Sequence, residues 1–242
     1  MDKTEITRRL DALGYDVATP DGAVDAADWA LRWFKRQNGL AEDAPFEEAL
    51  RSDGAAPGVG ARYPYYSMED PLWGDWPYDA ANTSDRETVS SSGCGPTSMA
   101  MAISHQIGRA VLPPVLCDWS NAHHHRDPDG QEGTYLSFFP ACAALYGLTA
   151  EVHEEFGRDV FDQIAAALAA GCDVIACMAA GSPFTKCGHY APFARIEDGR
   201  ITMYDPVPKK NELPHYTVGE WLDGGWLASY IVVSKRTDTD RT

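Results

Sequence analysis

The sequence contains no run of about 20 apolar residues, so it predicts no membrane-spanning helix. Its first 30 residues also lack the apolar core of a signal peptide, which leaves the cytoplasm open as a location. Basic residues are scarce: 20 Lys and Arg stand against 36 Asp and Glu, giving a net charge of -16. A chain this acidic argues against binding nucleic acid or anionic lipid through a basic surface.

Cysteine is too sparse for a disulfide scaffold, with six residues in a chain of 242. Cys142, Cys172 and Cys177 lie in apolar runs and are interpreted as reduced core residues. The composition, 44% hydrophobic and 23% charged, is typical of a globular protein with at least one sizeable core.

The chain is predicted to contain two domains. Residues 53–61 are rich in Gly, Ala and Pro and are interpreted as a linker. Residues 1–52 show apolar residues at helical spacing and predict a small three-helix domain. Residues 62–236 form the larger domain, and residues 237–242 are a polar tail.

Within the larger domain, helical patterns precede strand patterns. Three helices are predicted, the first starting near residue 94 and the others spanning about 133–147 and 156–171. Four strands follow, at about 173–179, 189–196, 199–205 and 227–235. Helices before strands, with two strands joined in a hairpin, predict an α+β fold.

The stretch SSGCGPTSMAM places Cys94 at the predicted start of a buried helix. Unpaired N–H groups and the positive end of the helix dipole favour a thiolate there, and the Cys94 N–H can donate to an oxyanion. Gly93 and Gly95 would let a substrate carbonyl approach closely. Taken alone, a cysteine is more often a buried structural residue.

A base for this thiol is predicted from the hairpin HYAPFARIEDGRITMYD. With a three-residue loop at 197–199, Asp205 lies opposite Ala191 and diagonal to His189, roughly 7 Å away on the same face. Asp205 can then orient His189 and favour its imidazolium form. A two-residue loop would put the two side chains on opposite faces.

These motifs resemble the papain-like cysteine peptidases of the bacteriocin-processing type, which cut after double glycine. In that family G-C-G-P-T-S carries the nucleophile, G-H-[FY] the base and the following D-P the orienting acid. The resemblance implies a papain-like α+β fold, with a central antiparallel sheet and a buried nucleophile helix. It also implies Cys94, His189 and Asp205 as the triad, a thioester intermediate, a peptide substrate and no cofactor.

One position departs from the family pattern. Met68 stands where the family has a glutamine that completes the oxyanion hole, and Asn82 is the candidate substitute. Gly188 and Cys187 adjoin the base and are expected, with Gly93 and Gly95, to line the substrate cleft. The alternatives to a peptidase or amidase are a catalytically weak or inactive cell-wall-binding relative, or an acyltransferase using the same thiol.

Residues 1–52 resemble a peptidoglycan-binding domain, with Lys35 in place of its usual glutamine. The matching residues are Leu10, Leu13, Gly14, Tyr15, Asp21, Gly22, Phe34, Asn38, Gly39 and Leu40. The resemblance implies peptidoglycan as a partner and an extracellular or cell-wall location. The alternative is a helical cap that binds nothing.

Three adjacent histidines, His123, His124 and His125, invite a metal hypothesis. Consecutive residues rarely point at one ion, and the Asp, Pro and Gly around them indicate an exposed loop. No metal site is therefore predicted.

Overall fold

The computed structural model describes residues 2–47, 57–60, 62–78, 87–126 and 133–236. Eight α-helices fall within these residues: α1 Lys3–Ala12, α2 Ala27–Gln37, α3 Val89–Ser92, α4 Cys94–Ile107, α5 Pro113–Ala122, α6 Phe138–Leu145, α7 Arg158–Ala169 and α8 Val218–Gly224. The strands are β1 Leu148–His153, β2 Asp173–Met178, β3 His189–Glu197, β4 Arg200–Met203 and β5 Leu227–Lys235, and a 3-10 helix spans Pro208–Glu212.

All five strands form one antiparallel sheet, in the order β1-β5-β2-β3-β4. β2 is buried along almost its whole length, as expected of a strand covered on both faces. Helix α4 packs on one face, against β3, β2 and β5, and α7 packs on β2 and β3. The α+β class predicted from the sequence is therefore confirmed, including the central antiparallel sheet and the buried helix that begins at Cys94.

Helix α4 is buried continuously from Gly95 to Ser104, because its side chains are small or apolar on every face. A Cβ at Gly93 would lie 2.6 Å from the carbonyl oxygen of Val89, and one at Gly95 would lie 2.9 Å from the Thr134 side chain. Only glycine fits these two close approaches. Each of the glycines that flank the thiol thus has a packing function.

The N-terminal helices pack directly on the rest of the chain. Leu10, Tyr15 and Phe34 belong to the same hydrophobic cluster as Met99 and Leu116 of the larger unit. Backbone hydrogen bonds join the two parts as well, from Asp16 N to Ala110 O (2.9 Å) and from Ala110 N to Gly14 O (2.8 Å). Residues 2–47 thus share a core with the larger unit, and their assignment as a separate domain stays a prediction.

The structure adds elements that the sequence patterns did not indicate. The sequence patterns predicted neither β1 nor the helices α3, α5 and α8, and α6 begins at Phe138, a turn later than expected from Gly133. The four predicted strands all form. Most of the proposed linker, the third N-terminal helix and the polar tail lie outside the described residues. Where the chain is described, no helix is long and apolar enough to cross a membrane.

Candidate active site

The hairpin of β3 and β4 places Asp205 beside His189 by a route that differs from the prediction. Glu197 pairs with Arg200, so the loop has two residues, Asp198 and Gly199, both with positive φ (50° and 69°). This is a type I′ turn, which suits the twist of the strands. The prediction of a three-residue loop is wrong.

A β-bulge restores the face that the shorter loop would have lost. Arg195 pairs with Thr202, but Phe193 pairs with Met203, which leaves Ala194 as the extra residue. Beyond the bulge the register is the one first expected, and Tyr204 N donates to Pro192 O at 2.9 Å. The loop is one residue shorter than predicted and the bulge adds one unpaired residue to β3. The two changes offset each other, so the strand pairing beyond the bulge is the predicted one.

His189 and Asp205 form a buried hydrogen-bonded pair. The distance from His189 Nε2 to Asp205 Oδ1 is 2.8 Å, and only 5% and 1% of the two side chains are exposed. Asp205 Oδ1 also accepts a hydrogen bond from Val207 N at 2.8 Å. Because Nε2 is engaged by Asp205, Nδ1 is the ring nitrogen left to face another group.

Cys94 lies at the start of the helix that packs on β3. Its half-buried thiol lies at the first residue of α4, and Ser98 of the same helix donates to Tyr190 O at 3.1 Å. This contact holds the start of α4 beside the start of β3, and Cys94 lies near enough to His189 for each group to shift the pKa of the other. Three residues far apart in sequence, Cys94, His189 and Asp205, are therefore brought together.

The three groups shift one another's proton affinity. Burial alone would raise the pKa of the Cys94 thiol, but the hydrogen bond to His189, its charge and the Tyr190 backbone bring that pKa below its ordinary value. Burial would lower the pKa of His189, but hydrogen bonds to Asp205 and Cys94 raise it from 6.5 to about 9. Both shifts favour a thiolate beside an imidazolium.

Met68 occupies a buried position next to this site. Its side chain is 3% exposed, and its N–H donates to Pro206 O at 2.9 Å. The thioether has no N–H or O–H to offer an oxyanion. Asn82, the candidate substitute, lies outside the described residues.

The residues expected to line the cleft lie on both sides of the site. Gly188 has a φ of 103° and directly precedes His189 at the start of β3, so a side chain there would be strained. Cys187 is exposed, and its sulfur lies 4.0 Å from Thr185 Oγ1. Gly93 and Gly95 lie at the start of α4. Their contact with a substrate stays a prediction.

Two of the three adjacent histidines stack on one tryptophan. His123 and His125 stack on Trp119, with ring centroids 4.4 and 5.4 Å away, and His124 has a φ of 58°. In the part of the chain that the structure describes, no three His, Cys, Asp or Glu side chains are grouped so that they could hold a metal ion.

Two residues that hold the Asp205 backbone were missed by the sequence patterns. Asn211 and Tyr65 both hydrogen-bond to its backbone. Tyr65 belongs to an aromatic run, and Asn211 lies in a polar turn. Neither setting marks a residue as part of a site, so only the contacts reveal them.

No known protein-family model matches this sequence, and no curated protein matches it. Among solved structures, it is similar to a C39-like peptidase from Bacillus anthracis, at 14% identity over 73% of this chain and 96% of the other, with a TM-score of 0.48. It is also similar to the peptidase domain of Streptococcus ComA, a bi-functional ABC transporter involved in quorum sensing. There the identity is 15% over 60% of this chain and 93% of that domain, with a TM-score of 0.46. Functional assignment therefore depends on the atoms of the site.

Proposed function

We propose that the chain is a cysteine peptidase or amidase in which Cys94 is the nucleophile, His189 the general base and acid, and Asp205 the residue that orients the imidazole. One observation carries this proposal: a single buried imidazole is hydrogen-bonded to a carboxylate at 2.8 Å and lies close enough to a helix N-terminal thiol for each of these two groups to shift the pKa of the other. A core histidine needs only one such partner, and a structural cysteine needs none.

The reaction follows from the protonation states. The Cys94 thiolate adds to the carbonyl carbon of a peptide bond, and the negative charge moves to the carbonyl oxygen. As the C–N bond breaks, the His189 imidazolium gives its proton to the leaving amine, and a thioester remains on Cys94. Water then adds to the thioester, His189 takes its proton, and the carboxylic acid leaves as the thiol is restored. Asp205 holds the ring in the tautomer that both proton transfers need.

Met68 supports a second candidate, a relative with weak or absent turnover. A missing oxyanion donor typically costs ~10²–10³ in rate, and the buried thioether of Met68 supplies none. In this candidate the thiol and imidazole persist but the tetrahedral intermediate lacks a side-chain donor.

Peptidoglycan binding by residues 1–52, and with it a cell-wall peptide as the substrate, is a further proposal. Several residues that carry the resemblance serve internal contacts: Tyr15 and Phe34 are fully buried, and Asp21 accepts a hydrogen bond from Trp119 Nε1 at 2.8 Å. Co-sedimentation with purified cell-wall sacculi tests this proposal. Recovery of the protein in the supernatant would favour the helical cap that binds nothing.

The test of the main proposal is hydrolysis of fluorogenic peptides ending in Gly-Gly, together with purified cell-wall peptides. Replacing Cys94 by Ala should abolish turnover, because it removes the sulfur that forms the thioester. Cys172→Ala is the matched control, since this thiol lies in the turn between α7 and β2, outside the site. Turnover that survives Cys94→Ala would refute the proposal, and a wild-type protein that forms no acyl-enzyme would favour the second candidate.

A further inference from the structure

The backbone of Asp205 is held by two side chains from separate parts of the chain. Asn211 Oδ1 accepts the Asp205 N–H at 2.8 Å, and Asn211 Nδ2 donates to Asp205 O, also at 2.8 Å. Tyr65 OH donates to the same carbonyl oxygen at 2.8 Å and accepts from Asn211 Nδ2 at 3.2 Å. Both polar groups of the Asp205 main chain are thus satisfied by side chains instead of the sheet.

This arrangement continues past Asp205. Met68 N donates to Pro206 O at 2.9 Å, so the segment that carries Tyr65 contacts two successive carbonyl groups. Asn211 lies on the 3-10 helix Pro208–Glu212, and its residue is exposed. Burial in a hydrophobic core does not explain the position of Asn211, because the residue is polar and exposed. Its side chain serves the Asp205 backbone.

The Asp205 carboxylate needs such support. Oδ1 receives His189 Nε2 and Val207 N, whereas Oδ2 is buried and has no hydrogen-bond partner. A carboxylate with one free oxygen is not held at both ends, so its orientation depends on where the backbone places it. The fixed backbone therefore sets the direction of the hydrogen bond to His189.

We propose that Asn211 and Tyr65 are positioning residues for the reaction: they fix the Asp205 backbone so that its carboxylate holds His189 toward Cys94. This inference rests on the proposed function for its effect on turnover, but its effect on the His189–Asp205 pair can be measured without any substrate. Asn211 contributes both a donor and an acceptor, and Tyr65 contributes a donor alone.

The experiment measures the pKa of His189 by ¹⁵N NMR in protein labelled at its seven histidines, with His189→Gln to assign the signal. In Asn211→Ala we expect this pKa to fall from about 9 toward the ordinary 6.5, since Asp205 no longer points squarely at Nε2. Tyr65→Phe should give a smaller fall. Glu212→Gln, an exposed change in the same turn, should leave it unchanged.

Turnover is the second measurement. Because small misplacements of catalytic groups cost about 10²-fold, kcat of Asn211→Ala should fall by that order while KM stays the same. The alkaline limb of its pH profile should move down with the pKa of His189. The amide spectra of the variants check that they remain folded. If Asn211→Ala does not fold, Tyr65→Phe provides the test of the positioning role.

The outcomes separate this inference from the proposed function. A His189 pKa that stays at about 9 in both Asn211→Ala and Tyr65→Phe would overturn the positioning role, even if turnover fell. A lowered His189 pKa in a protein that hydrolyses nothing would support the positioning role and refute the proposed function instead.

Discussion

Replacing Asp205 by Asn is the perturbation whose size follows most directly from the structure. The change keeps the shape of the side chain but removes its charge and puts an N–H where His189 Nε2 now finds an acceptor. The raised pKa of His189, from 6.5 to about 9, corresponds to about 3 kcal/mol of net stabilisation of the imidazolium. Asp205 and Cys94 share this stabilisation, and both act on a ring that is 5% exposed.

From this magnitude we expect kcat/KM of Asp205→Asn near neutral pH to fall by about 10²-fold or more, with the alkaline limb moving from near 9 toward neutrality. Any loss of kcat/KM beyond 10²-fold would come from the wrong tautomer of the His189 ring. The assay is the pH dependence of peptide hydrolysis, measured beside Asp198→Asn. That control removes an aspartate of the same hairpin at a turn position that asparagine also favours.

The same substitution has a stability signature. A histidine whose folded pKa is raised stabilises the fold fully below pH 6.5, and this contribution is lost as pH rises through about 9. The difference in Tm between wild type and Asp205→Asn should therefore be largest in mild acid and narrow toward pH 9. A variant as active as wild type, or a Tm difference that widens with pH, would refute the reasoning.

Two further predictions concern the oxyanion hole and the bulge. Met68→Gln should raise kcat by up to ~10²–10³-fold at unchanged KM, because the amide adds the missing oxyanion donor. Met68→Leu is the control. Equal kcat for the two variants would mean that another group already donates to the oxyanion. Deleting Ala194 should remove the bulge but leave Phe193 opposite Met203, so Asp205 should stay on the face of His189 and the raised His189 pKa should persist. Circular dichroism would confirm that the deletion variant folds, and a His189 pKa that falls in it would contradict the role given to the bulge, which is to absorb one residue of register.

Much of this architecture was predictable because local patterns and tertiary packing agree. The four predicted strands are rich in β-branched and aromatic residues, and α4 carries small or apolar side chains on all faces. β1 escaped prediction because Leu148–His153 is a short edge strand with weak alternation. Helix α5 escaped because two prolines open it, and these suit the first turn of a helix as well as they suit a loop.

The site was predictable only in part, for a physical reason. Motifs single out residues whose chemistry is rare, such as Cys94 between two glycines, and they led to His189 and Asp205 as well. The register that joins His189 to Asp205 depends on Ala194, a residue without any mark of a bulge. Asn211 acts through backbone contacts that involve no motif.

The central claim is that His189 keeps Cys94 as a reactive thiolate. The most direct measurement is the pH dependence of Cys94 alkylation by iodoacetamide, followed by mass spectrometry, in wild type and in His189→Ala. The account predicts that Cys94 reacts well below the pH at which Cys187, an exposed thiol of the same protein, reacts, and that His189→Ala removes the difference. Alkylation of Cys94 no faster than that of Cys187 across the acidic and neutral range would contradict it.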